Sequence, residues 1–98
     1  MNELEESLDY YKYECENFMI DNNIEEVLIT SAHRDFIDEH KKELSKKQLN
    51  ELIILDKKMI GLYEEIRDTK YETVSAIKLI VEKYALKTIL EYETKKAV

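Results

Sequence analysis

ELEESLDYYKYECENF, residues 3–18, places Leu4, Leu8, Tyr11, Cys15 and Phe18 at successive steps of 4, 3, 4 and 3. That spacing aligns five apolar side chains on one face of an α-helix and leaves the glutamates on the other. It predicts a first helix from about Glu3 to Ile20, stopped by Asp21-Asn22-Asn23, whose side chains compete for backbone hydrogen bonds. The reading extends to the rest of the chain because its 98 residues contain no proline and one glycine, Gly61. Without the usual helix breakers, long helices joined by tight polar turns are what remains.

Asn23 followed by Glu26 has the spacing of a capping box and predicts a second helix from Ile24 toward Leu44. The β-branched run Val27-Leu28-Ile29-Thr30, with Ser31 after it, weakens that helix, so a break or a short strand is the alternative. Ser45 with Gln48 is a second capping box and opens a third helix at Lys46, with Leu49, Leu52, Ile53, Met59, Ile60, Tyr63 and Ile66 inward. Gly61 in its middle suggests a close helix approach or a slight kink. Thr69 with Glu72 repeats the pattern and predicts a fourth helix from Lys70 to about Thr94. These elements define one domain, residues 1–98, of all-α class: an antiparallel four-helix bundle. On helix 4 Val74, Ile77, Val81 and Tyr84 form one stripe, whereas Leu79, Leu86, Ile89 and Leu90 lie largely elsewhere. A helix apolar on two sides points to a second chain, and a homodimer through helix 4 is expected.

The formal charge of −7 is unevenly placed. Residues 1–28 carry nine acids and one base, Lys12, a net of −8, which leaves 13 acids and 14 bases, net +1, in residues 29–98. Such a surface repels phosphates and attracts basic partners, so direct nucleic-acid binding is not expected. The acidic start differs from a secretion signal, and one cysteine cannot form an internal disulfide; a cytoplasmic protein is the expectation. Lys78, Glu82, Lys83 and Lys87 interrupt the most apolar stretch, Val74 to Leu90, so no membrane span is expected.

Several residues invite a chemical role. Asp56 lies on the apolar face of helix 3 and needs a partner if buried. A hairpin turn at Leu44-Ser45 sets residues whose numbers sum to about 89 at one level, which places His33, with Arg34 beside it, opposite Asp56. Such a pair could serve acid/base chemistry, but with no Ser or Cys nucleophile alongside, a structural pair is the stronger reading. Lys41, Lys42, Lys46 and Lys47 bracket the Ser45 turn and could hold a phosphate, though a solvated turn is the plainer assignment. Cys15, between Glu14 and Glu16, reads as a core residue with a raised thiol pKa. No pair of histidines has helical ligand spacing, so neither a metal nor a cofactor is expected.

Arg34 with a histidine six positions on, His40, formally resembles the Arg-x(4–6)-His motif of HEPN domains. The resemblance implies a helical, metal-independent RNase in which Arg34 and His40 of two protomers meet. Asp35, Asp38 and Glu39 surround the motif where phosphate contacts need Lys and Arg. Tyr10 and Tyr13, by contrast, stand among glutamates away from the apolar stripe, and exposed tyrosines framed by charge are typical of interface hot spots. The favoured function is therefore noncatalytic: a module that binds a basic protein surface through Glu3, Glu6, Asp9, Tyr10, Tyr13 and Glu16. An inhibitor or antitoxin-like neutraliser, or an accessory subunit, would use that layout. The alternatives are the HEPN-like RNase and a purely structural homodimer.

Overall fold

The computed structural model describes residues 2–96, and helices with no strand make up the fold over that span. Helix α1 runs Glu3–Asn17; Asn2 caps it by accepting from the Glu5 N–H at 2.8 Å, and Glu3, Glu5 and Glu6 complement the positive end of its dipole. It ends three residues before the expected Ile20. Asn17 Nδ2 donates to the Tyr13 carbonyl at 2.8 Å, and Phe18 turns extended, so that Phe18 and Ile20 pack against the core from outside the helix.

Helix α2, Ile24–Glu39, is unbroken through the β-branched run. Val27 and Thr30 point into the core, and the Thr30 hydroxyl donates to the Glu26 carbonyl at 3.0 Å, so burial overrides the weak propensity. Its cap is a single bond from the Glu25 N–H to Asn23 Oδ1 at 2.9 Å rather than the reciprocal box expected with Glu26. The helix closes at His40, and a 3₁₀ turn over Lys41–Glu43 leads to extended Leu44. Helix α3, Lys46–Ile66, has the expected capping box, with Gln48 N–H donating to Ser45 Oγ at 3.1 Å and Ser45 N–H to Gln48 Oε1 at 2.9 Å. A Cβ added at exposed Gly61 would meet no atom within 4 Å, so this glycine marks no close approach.

The final helix, α4, starts later than expected. Thr69 donates to the Ile66 carbonyl at 2.7 Å and finishes α3 instead of capping α4. The helix is α-helical over Thr73–Ile80, π-helical over Val81–Ala85 and α-helical again over Leu86–Lys96. The wider π turn accommodates an extra inward residue. Ile80, Val81, Tyr84, Ala85 and Thr88 are all buried, and the Thr88 hydroxyl reaches the bundle centre.

Successive helices are antiparallel. Around the bundle, α1 lies beside both α2 and α3, and α4 beside both as well. Lys12 meeting Glu51 and Cys15 meeting Leu55 show α1 and α3 running the same way. The pairs Asp35–Tyr84, Asp38–Lys87 and Lys41–Glu91 show the same for α2 and α4. Leu8, Tyr11, Val27, Ile37, Leu52, Met59 and Ile77 fill the space between them.

Candidate functional site

One residue from each helix enters the bundle centre: Tyr11, Arg34, Asp56 and Thr88. Arg34 and Asp56 are both 0% exposed. Arg34 Nε donates to Asp56 Oδ1 at 3.1 Å and Nη2 to Oδ2 at 2.9 Å, the two-pronged geometry that suits guanidinium to carboxylate. Nη2 also donates to Thr88 Oγ1 at 2.9 Å, and the Tyr11 hydroxyl donates to Asp56 Oδ1 at 2.6 Å. Nη1 is buried without a hydrogen-bond partner, with Asp38 Oδ1 at 3.7 Å as its ion-pair neighbour. The rings of Tyr11 and Tyr84 lie 5.8 and 5.4 Å from the guanidinium.

These surroundings set the protonation states. Burial pulls the Arg34 pKa down, but the bonded Asp56 carboxylate, with Tyr11 and Asp38, outweighs it and leaves the group above its ordinary value. Burial, then Asp56, pushes the Tyr11 phenol well up. Burial followed by the 2.6 Å bond to Asp35 does the same for Tyr84. Burial would raise the Asp38 carboxyl, yet Lys41, Lys87 and Arg34 hold it below its ordinary range. The Cys15 thiol is pushed up to about 12 chiefly by burial, where its sequence neighbours Glu14 and Glu16 had suggested themselves as the cause.

The expected Asp56 pair therefore exists with Arg34, not His33. His33 turns toward α1, its Nδ1 3.0 Å from Ser7 Oγ and its ring stacked on Tyr10 with centroids 4.3 Å apart. Ser7 is buried at this contact, 5% exposed. Arg34 and His40 are not brought to a common surface. The arginine is enclosed in the core, whereas His40 stacks on Phe36 and has its Nδ1 2.8 Å from Glu43 Oε2. An arginine held this way cannot contact an RNA phosphate without opening the bundle.

The lysine turn also divides. Lys41 folds inward to Asp38, Thr88 and Glu91, while Lys42, Lys46 and Lys47 remain in solvent. Among the described residues, no group of three or more His, Cys, Asp or Glu side chains could hold a metal, and no helix is long and apolar enough to cross a membrane.

On α1, Glu3, Glu6, Asp9, Tyr13 and Glu16 share the outer face and are exposed, Tyr13 at 63%. Tyr10 departs from the expectation: stacked on His33 it is half-buried in the α1/α2 seam, and burial with nearby Glu14 raises its phenol pKa. Lys12, the one base of residues 1–28, faces Glu51 at 3.9 Å. Between α1 and α2 lies an open cleft of about 350 Å³ with Glu3 and Glu6 on one side and Ile29, Ala32 and Phe36 on the other.

Residue spacing made the α1 face legible. The Arg34–Asp56 pair was within reach of the sequence, since 34 and 56 nearly satisfy the hairpin register. Thr88 continues the predicted stripe Ile77, Val81, Tyr84 one turn further, but a lone threonine there carries no mark of a polar contact to Arg34. Comparison with family models, curated proteins and solved structures gave no match to this chain.

Proposed function

We propose that this protein is a noncatalytic interaction module that binds a basic protein surface through the outer face of α1. The observation that carries this reading is the joint exposure of Glu3, Glu6, Asp9, Tyr13 and Glu16 on the outer face of α1, whose single lysine, Lys12, lies toward Glu51 of α3 at 3.9 Å. Carboxylates on such a face accelerate encounter with a cationic partner, and a rigid exposed tyrosine supplies apolar contact area. Neutralising a basic enzyme, or serving it as an accessory subunit, is the role this supports, in the cytoplasm.

Copurification from the native host tests it. The wild type should retain a basic protein that a Glu3→Lys, Glu6→Lys, Asp9→Lys, Glu16→Lys variant of equal helicity does not. Recovery of the same proteins by both would refute it.

Self-association through α4 is a second reading with its own support. Leu79, Leu86 and Leu90 are 45%, 48% and 67% exposed, and apolar groups so placed favour a partner. The two surfaces are on different helices and can act together.

A further inference from the structure

Three features of the α1/α2 seam bear on what the acidic face would hold. The first is the row Ile29, Ala32, Phe36 on the solvent side of α2, at positions i, i+3 and i+7. The middle member is small, so the row dips between two bulky side chains; Ile29 is 47% exposed. A groove of that form fits the ridge of another helix and takes apolar anchors one turn apart.

The second is charge. Glu3 and Glu6 rim this cleft, and the adjoining depression, which shares Glu3 and Phe36, adds Glu5 and Glu43. Among the described residues lining the two, no lysine or arginine offsets them. The third is a preformed floor: Tyr10 stacks on His33 and the Ser7 hydroxyl lies 3.0 Å from His33 Nδ1, so both helices hold the imidazole in place before anything binds.

Resting on the proposed interaction role, we infer that the α1/α2 seam is the docking groove for a cationic amphipathic helix of the partner protein. Its apolar side chains seat along Ile29, Ala32 and Phe36, and its flanking lysines or arginines reach Glu3, Glu6 and Glu43. Charge draws the helix to the acidic face, and the apolar row fixes where on that face it lies.

The test titrates the full chain with three fluorescent synthetic peptides of equal length: a Leu/Lys amphipathic helix, a Ser/Lys peptide of the same charge, and a Leu/Glu helix. Anisotropy should show the Leu/Lys helix binding about 10- to 100-fold tighter than Ser/Lys, the ratio expected from burying about one large apolar side chain. The Leu/Glu helix should not bind. Ile29→Ser, at an exposed position, and Phe36→Ala should each erode the Leu/Lys advantage while leaving Ser/Lys binding unchanged, with melting curves confirming intact folding. Glu3→Lys with Glu6→Lys should weaken both cationic peptides.

Equal affinity for Leu/Lys and Ser/Lys would overturn the groove and leave the charge-driven module standing. Failure of every peptide to bind would overturn both. An oligomer that dissociates on Phe36→Ala would show that a second copy fills the seam, and would also overturn the inference.

Discussion

Replacing Asp56 with alanine removes the acceptor on which three hydrogen bonds converge: those from Tyr11 at 2.6 Å and from Arg34 at 3.1 and 2.9 Å. The guanidinium would then sit in the core with Thr88 and the 3.7 Å approach of Asp38 as its remaining polar neighbours, and Nη1 already lacks a hydrogen bond. Breaking a buried ion pair from one side costs about 3–5 kcal/mol, because the surviving charge stays desolvated. A domain of this size has on the order of 5–15 kcal/mol in all, so the variant should be marginally folded. A partly buried pairing with His33, the alternative partner suggested by register, would have cost only about 1–3 kcal/mol, and the magnitude therefore distinguishes the partners.

Urea denaturation followed by far-UV circular dichroism measures the change. Arg34→Met with Asp56→Leu should recover most of the loss, since apolar residues of similar volume can replace a buried pair. A single-variant effect of about 0.5 kcal/mol or less, typical of surface changes, would refute the buried network.

Acid should weaken the bundle through Asp38. Its folded pKa is depressed, so its contribution is present above the ordinary 3.8 and is lost as pH falls through the lower folded value; Asp38→Asn should flatten that limb of the melting-temperature profile. Cys15 acts at the other end: stability from its neutral thiol is full below 9.0 and gone as pH rises through about 12, and a thiol reagent at neutral pH should label it only on unfolding. Labelling at the rate of an exposed thiol would contradict its burial. Light scattering should give a dimer or larger species that Leu86→Lys with Leu90→Lys converts to monomer, whereas a wild-type monomer at high concentration would remove α4 as a self-association face. The purified protein should not cleave single-stranded RNA; cleavage that His40→Ala abolishes would establish the HEPN-like alternative.

Legibility in the sequence followed the kind of interaction at stake. Local signals carried well: the Leu4–Phe18 spacing, the Asn23 start and the Ser45/Gln48 box fix three helices because each depends on residues a turn apart. Competing local bonds misplaced boundaries, as at Asn17, which binds the Tyr13 carbonyl, and at Thr69, which closes α3. What resisted reading was the angular position of a side chain relative to distant helices. Tyr10 looked exposed because its sequence neighbours are charged, yet His33 from α2 covers it. The π turn at Val81–Ala85 was likewise not legible, since no composition cue marks it, although the stripe Ile77, Val81 and Tyr84 is buried as expected.

If carboxylates on α1 bring a basic partner to this protein, as proposed, the association rate constant with the copurified partner will depend on ionic strength. The wild-type rate should fall steeply with added salt, while the fourfold charge reversal at Glu3, Glu6, Asp9 and Glu16 should associate slowly with a flat salt dependence. A wild-type rate indifferent to salt, matched by the reversed variant, would show that these carboxylates do not steer association.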